Sequence, residues 1–347
     1  MIRHWIGRRL RRIAQWPKNL LTEQRFLILL YHRIVELRSD PWSLSVAPRH
    51  FAKHLEILRE HAHPISLKQL SEGLLDGNLP DRAVVITFDD GYADNLYNAK
   101  PLLERYDVPA TVFLTTGYIG HEREFWWDEL DRLLLQPGTL PKVLSLSVNG
   151  STYRWKLGKA AQYYSDDDAT RRYRWRVWRY AFDSRYRLYR SLWELLHPLA
   201  EEEKQKVLDK LLVWADAKPA ARPTHRPLSL EEVVALAQGD LVDVGAHTVT
   251  HPVLPTLPAA SQWHEILKSK ARLEEILSRP VSSFAYPYGS ISAETVDIVR
   301  EAGFACACSG LADVVGRSID RFRLPRVEVA GWEGERFARQ LFRWFGG

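Results

Sequence analysis

The stretch Ala83-Val84-Val85-Ile86-Thr87-Phe88-Asp89-Asp90-Gly91-Tyr92 is a β-branched, apolar run that stops abruptly at two carboxylates and a turn residue. Six residues without polar alternation make a strand that is buried on both faces, the pattern of a parallel sheet covered by helices. Reading outward, residues 93–106 carry a helical pattern and residues 110–114 a further strand. Upstream, residues 26–34 read as a buried strand, and residues 48–61 as a helix with Phe51, Leu55 and Leu58 on one face. A second helix spans 65–75, opened by the cap residue Ser66. Downstream, residues 241–245, 283–286, 304–308 and 322–329 read as strands, with helices over 259–278 and 291–302 between them. Strand–helix alternation of this kind predicts a mainly parallel sheet, open or closed into a barrel. Chemistry in such sheets gathers at the C-terminal ends of the strands.

The alternation lapses over residues 123–228, which read as an insertion into one domain made of 23–122 and 229–347. Phe125 to Leu130 opens a helix, and Asn149-Gly150 between two apolar-alternating runs signals a type I′ hairpin. Residues 168–195 and 201–215 read as helices, and 217–227 as a Pro-containing linker. A chain of 347 residues, 46% hydrophobic and 26% charged, has globular composition. Two cysteines, Cys306 and Cys308, exclude a disulfide scaffold and a four-cysteine zinc site. The net charge of +5 is concentrated in two places. Residues 1–22 hold six Arg or Lys and no acid, and residues 171–190 hold eight Arg interleaved with aromatics. In the first, Ile2, Trp5, Ile6, Leu10 and Ile13 fall on one side of a helix, the build of a segment lying on an anionic membrane face. The second suits a lipid headgroup interface or, as an alternative, nucleic acid.

Three motifs carry chemistry. Asp89 and Asp90 repel one another on a tight turn, a cost that a cation or a catalytic task offsets, although Asp-Asp-Gly is also good turn chemistry. His247 and His251, in His247-Thr248-Val249-Thr250-His251-Pro252, reach a common ion if the backbone makes about one turn. One carboxylate with two imidazoles is a three-ligand site with positions left open for water and substrate. Tyr286-Pro287-Tyr288-Gly289 forms a turn after a strand, placed to line a groove.

In this order, each at a strand end, the three motifs resemble the polysaccharide deacetylase family, the NodB homology domain of carbohydrate esterases. The resemblance spans roughly residues 26–122 and 229–330. It implies a distorted (β/α)7-type barrel and metal-dependent hydrolysis of an N-acyl group, usually acetyl, from an amino sugar. Asp89 matches the family's base. Asp90, His247 and His251 match its metal ligands, with zinc as the usual ion. Tyr288 falls in the groove-lining turn, and the N–H of Tyr286 or Tyr288 is placed to hold an oxyanion. Two positions depart from the pattern. Ala285 stands where the family has an arginine that tethers the base, and no histidine follows His264 to serve as the late acid. Tyr31-His32 resembles the branch that includes poly-N-acetylglucosamine deacetylases, which assigns the acid to His32, and Arg326 is the available replacement tether. Trp126 and Trp127 are candidates for stacking on sugar rings. With the basic segments, these features make the expected substrate an amino-sugar glycan or a lipid-linked sugar, handled on the inner, cytoplasmic face of the membrane. Deformylation of a lipid-linked amino sugar and glycan binding without turnover are the competing expectations.

Overall fold

The structure, a computed structural model, describes residues 25–162, 184–218, 220–310, 313–316 and 318–346. The basic segment 1–22 and the 171–183 part of the Arg-aromatic stretch lie outside the described residues. In chain order the strands are β1 (Leu27–Tyr31), β2 (Arg33–Ile34), β3 (Ser45–Val46), β4 (His63–Pro64), β5 (Ala83–Phe88), β6 (Ala110–Leu114), β7 (Val143–Val148), β8 (Ser151–Lys156), β9 (Val242–Ala246), β10 (Ser283–Ala285), β11 (Cys306–Cys308) and β12 (Val327–Glu328). The helices are α1 (Pro48–His61), α2 (Leu67–Asp76), α3 (Lys100–Tyr106), α4 (Trp126–Leu134), α5 (Ser184–Leu196), α6 (Glu201–Trp214), α7 (Leu230–Leu236), α8 (Ala259–Leu277), α9 (Ala293–Glu301) and α10 (Gly334–Trp344).

Seven strands form one curled parallel sheet in the order β11-β10-β9-β6-β5-β1-β12, with β4 paired at the start of β5. Leu324 forms a parallel bridge with Cys308, three residues before the chain enters β12 beside β1. The two ends of the sheet therefore approach each other, and the architecture is the distorted (β/α)7 barrel that the alternation predicts.

Strand parity decides what faces the barrel interior. Leu27, Leu29 and Tyr31 of β1 and Val84, Ile86 and Phe88 of β5 pack with Phe51, Leu55 and Leu58 of α1 in the core under the helices. The alternate residues Ile28 and Val85 join Phe113, Ala285, Cys306, Cys308 and Leu324 in a second cluster inside the barrel. Continuing the inward parity of β5 past Val85 gives Thr87 and then Asp89. The same count brings Arg326 inward two residues after Leu324, and His247 two residues after Gly245. Gly245 is required here: a Cβ would come within 2.4 Å of the Phe113 ring, which fills the interior at that level.

Several boundaries differ from the sequence reading for local reasons. The first strand ends at Tyr31, and β2 turns away to pair with β3. Arg33 is drawn into a buried ion pair with Asp94, Nη2 to Oδ2 3.0 Å, with its guanidinium 4.1 Å over the Tyr92 ring. The helix after the Asp-Asp turn opens with a π-helical turn at Asn95–Ala99, because Pro101 has no N–H to donate. Of the last strand only Val327–Glu328 is regular.

The helices α4, α5 and α6 and the β7–β8 hairpin build a separate apolar core around Trp126, Leu130, Tyr189, Leu192 and Leu208. The hairpin turn has Asn149 at φ 49° and Gly150 at φ 76°, both positive as a type I′ turn demands. Tyr92 and Tyr118, next to the C-terminal ends of the barrel strands β5 and β6, belong to this same core and weld it to the barrel. The segment after α6 is pinned. Arg222 binds buried Glu124 (Nη2–Oε2 2.7 Å) and buried Asp131 (Nη1–Oδ2 2.6 Å), so two carboxylates share one guanidinium.

Candidate active site

Asp89 and Asp90 leave β5 at the mouth of the barrel and are both buried. Their turn is held by the backbone: the Asp89 N–H donates to Tyr31 O (3.1 Å), and the Thr115 N–H donates to Asp90 O (3.2 Å). Asp90 adopts φ 75°, a left-handed conformation that costs on the order of 1 kcal/mol or more for a residue with a Cβ. That twist separates the two carboxylates. Asp89 stays on the interior parity and meets Arg326 in a two-pronged pair, Nη1–Oδ1 2.7 Å and Nη2–Oδ2 2.7 Å. Arg326 is itself positioned by donating from Nε to Ser309 O (3.2 Å) and from Nη1 to Thr87 Oγ1 (3.3 Å). Burial raises the Asp89 carboxyl, but Arg326, together with His247 and His32, outweighs it and holds the group below its ordinary value.

Asp90 turns instead toward two imidazoles. Its Oδ1 lies 3.4 Å from His251 Nε2 and 3.8 Å from His247 Nε2. His247 Nδ1 donates to Ala285 O (2.7 Å), which fixes the tautomer and leaves the Nε2 lone pair facing Asp90. The loop carrying His251 is not helical. Thr248 at φ 66° and His251 at φ 58° fold it tightly, and the His251 N–H donates to Thr248 Oγ1 (3.0 Å). Glu265 of α8 clasps this loop, accepting from the N–H groups of Val249 and Thr250 (2.8 Å each) and from Thr250 Oγ1 (2.7 Å). Asp243 of β9 pairs with Arg279 at the surface (3.2 Å).

The donor set fits a divalent metal. Ligand atoms from Asp90, His247 and His251 all lie within 4.8 Å of one another. Ligands around a tetrahedral zinc, with bonds of about 2.0–2.1 Å, stand roughly 3.3 Å apart. Burial first, then Asp89 and Asp128, push the Asp90 carboxyl well above its ordinary value. Burial first, then His247, hold the His251 imidazole well below its own. A buried carboxylate with two neutral imidazoles and, among the described residues, no cationic partner of its own is a set that a dication completes.

The site opens into a cleft of about 410 Å³. His32, Trp42, Trp193, Tyr288, Arg326 and Glu328 line it together with the two aspartates and the two histidines. Burial lowers the His32 imidazole, and Asp89 and Glu328 draw it partly back. Tyr288, at φ 57°, sets its ring 4.5 Å from that of His251. Trp127 also borders the cleft, its ring 5.0 Å from His251 and its Nε1 donating to Tyr92 Oη (2.8 Å).

Two expected groove residues are not in the cleft. Trp126 is fully buried in the core of the inserted helices, its ring beneath the Lys204 ammonium at 5.3 Å, and offers no face to a ligand. Tyr286 is also fully buried. Its N–H is taken by Cys308 O (3.0 Å) and its hydroxyl donates to Phe322 O (3.0 Å), so neither reaches the metal ligands. Sequence reading missed Trp42, Trp193, Glu265 and Glu328. The one available signal was the four-residue spacing of Trp193 and His197, which places them on one face of a helix.

The fold is a parallel α/β barrel that gathers one carboxylate and two imidazoles at its strand ends, a set able to hold a metal ion. The family model for polysaccharide deacetylases matches residues 76–138 and 213–307. A putative polysaccharide deacetylase of Bacillus subtilis, YxkH, is 33% identical over 108 residues, 30% of this chain and 37% of the relative. A poly-beta-1,6-N-acetyl-D-glucosamine N-deacetylase of Staphylococcus aureus is 32% identical over 120 residues, 30% of this chain and 41% of the relative. The alignments thus span well under half the length of these curated relatives. Among solved structures, the Streptococcus pyogenes deacetylase PplD, in complex with acetate, superposes with a TM-score of 0.57 at 17% identity, covering 92% of this chain and 99% of that one. IcaB from Ammonifex degensii gives 0.57 at 20% identity, covering 93% and 98%. These superpositions establish a shared fold.

The Arg326–Asp89 pair generates a direct test. Removing the guanidinium in Arg326→Met leaves burial to dominate, so the Asp89 carboxyl titrates at higher pH than in the parent. A carboxylate-resolved NMR titration with the metal removed from both proteins checks this, and an unmoved midpoint contradicts it.

Proposed function

We propose that this protein hydrolyses the N-acyl amide, chiefly N-acetyl, of an amino sugar in a glycan or lipid-linked glycan precursor. The observation that carries the reading is Asp89, held by Arg326 in a buried cleft with its Oδ2 3.9 Å from His247 Nε2, directly beside the Asp90–His247–His251 set. Two relatives support the chemistry by name: one is an N-acetyl-D-glucosamine polymer deacetylase, and the other was solved with acetate, the acid that deacetylation releases.

Asp90, His247 and His251 would hold the ion, for which zinc is the proposed identity. When bound, a divalent ion supplies Lewis acidity toward an amide carbonyl and acidifies water. Asp89, kept ionised by Arg326, takes a proton from the attacking water at a carboxylate oxygen. Water oxygen adds to the acyl carbon, and the N–H of Tyr288 serves as the backbone donor to the oxyanion, because that of Tyr286 is already committed. His32 delivers a proton to the departing nitrogen as the C–N bond breaks. The products are a carboxylate and the free amine. The role of Arg326 is to orient Asp89 and hold its charge, the task assigned in the family pattern to an arginine at position 285.

We place the reaction at the inner face of the cytoplasmic membrane, on the ground of the basic, one-sided apolar segment 1–22. Deleting that segment is expected to abolish co-sedimentation with anionic phospholipid vesicles while leaving turnover on soluble sugars; undiminished sedimentation counts against the placement.

Amine release from N-acetylglucosamine oligomers, with the liberated acid identified, tests the reaction itself. Chelation should abolish it and added zinc restore it, with acetate and not formate as the acid. Asp89→Asn and His32→Ala should each lose roughly 10²- to 10⁴-fold in kcat, with metal content unchanged. Chelator-insensitive turnover, or an Asp89→Asn variant at parental rate, would sink the mechanism.

A further inference from the structure

The basic segment 1–22 leads into the barrel at Arg25, and the residues around that entry point share its chemistry. Strands β1 and β5 are parallel neighbours with Leu27 paired to Val84, so Arg25 and Arg82, each two residues earlier, stand in register at the strand starts. The end of α10 lies against both. The Arg82 guanidinium carbon is 5.9 Å from the centre of the Phe345 ring, and Arg25 Nη1 is 3.2 Å from where a Cβ on Gly346 would sit. Phe337 and Leu341 bury one side of α10. Arg336, Arg339, Phe342 and Arg343, spaced three or four apart, form its exposed side. Phe342 is 40% exposed, with its ring 5.2 Å from that of His61 at the end of α1.

Arg25, Arg82 and Arg343 are all exposed, and among the described residues none of them is in an ion pair. Arg339 differs, at 3.6 Å from Glu335, and Asp81 is an exposed acid beside Arg82. The three free guanidinium groups alternate with Phe342, Trp344 and Phe345 at the N-terminal ends of the strands, the end of the barrel away from Asp89 and Asp90. Arginine beside exposed rings suits a lipid headgroup layer, where guanidinium meets phosphate and aromatic rings settle at the boundary. Segment 1–22, with six Arg or Lys and no acid, is a poor cover for this patch, because like charges repel. One anionic surface satisfies both, and their junction at Arg25 lets it touch both together.

We propose that the N-terminal ends of β1 and β5, with the end of α10, make a second contact with an anionic phospholipid surface beside segment 1–22. The inference rests on the membrane placement proposed above and adds an orientation to it. From Arg82 to Asp89 the strand climbs about 20 Å, at roughly 3.3 Å per residue. Asp90, His247 and His251 therefore face away from the lipid and stand about that far from it. A sugar carried directly on a lipid headgroup does not reach such a cleft. The N-acylated unit it takes belongs to a soluble glycan or to the outer part of a lipid-anchored one.

The test uses the full chain, vesicles of phosphatidylcholine with phosphatidylglycerol, and vesicles of phosphatidylcholine alone. Arg82→Glu/Arg343→Glu should lower partitioning onto the anionic vesicles roughly tenfold or more with segment 1–22 intact, leaving zinc content and melting temperature at parental values. Arg82→Gln/Arg343→Gln, which removes the charge without reversing it, should fall between. For orientation, a fluorophore is placed on Phe342→Cys or on Val213→Cys, the latter on α6 and 83% exposed in the parent. Cys306 and Cys308 are buried and escape labelling. Brominated lipid should quench the label at 342 and spare the one at 213. None of these readouts needs turnover, so they stand whether or not the hydrolase reading does. Parental partitioning of both double variants, or quenching at 213 in place of 342, overturns the patch and leaves segment 1–22 as the anchor. A parent chain that does not sediment removes the placement and the patch together. Double variants that lose binding to a single-stranded oligonucleotide but sediment as before assign the arginines to nucleic acid and overturn the lipid partner.

Discussion

Two carboxylates on adjacent residues are buried at the mouth of this barrel, and the rest of the site follows from how each is compensated. Asp89 is held by both prongs of Arg326. Breaking a buried pair of this kind by removing one partner costs about 3–5 kcal/mol, so the contact fixes where the end of β12 sits relative to β5. Asp90 has no such partner among the described residues and faces two imidazoles instead. The left-handed twist at Asp90 divides the pair between these two environments, one arginine-bound and basic, the other arranged for a cation.

Strand parity carries this division into the fold. The residues that bring Asp89, Arg326 and His247 to one place are the inward positions of β5, of the run into β12, and of β9. Their outward neighbours pack under the helices. The arginine need not sit at position 285 to do its work. Ala285 keeps the interior small, and its carbonyl orients His247, while the guanidinium enters from the neighbouring end of the sheet. The contact with Asp89 is thereby made from a different strand than the one that carries Ala285.

Much of this was legible in the sequence because it follows simple periods. The apolar run before Asp89 announced a doubly buried strand, and the paired aspartates and spaced histidines announced a charge problem with a metal as its solution. What escaped reading depends on which way a side chain turns. Trp126 and Trp127 are adjacent on a helix, about 100° apart around its axis, so both could not face the cleft. Trp127 does, and Trp126 faces the core of the inserted helices. Tyr286 continues the outward parity of Phe284 into the core, whereas Tyr288, past a proline and in a left-handed conformation, breaks the alternation and reaches His251. Glu265 buttresses the histidine loop from α8, fifteen residues after Thr250 and sixteen after Val249, a contact that no local pattern announces.

The central claim is that Asp90, His247 and His251 chelate one dication beside an Arg326-bound Asp89. Crystals grown with zinc and measured on both sides of the zinc absorption edge test it most directly. The account predicts one anomalous peak within about 2.0–2.2 Å of an Asp90 carboxylate oxygen and one nitrogen of each histidine, with Asp89 still on Arg326. A map with no peak among these three side chains, or with zinc bound elsewhere while they stay apart, would contradict it.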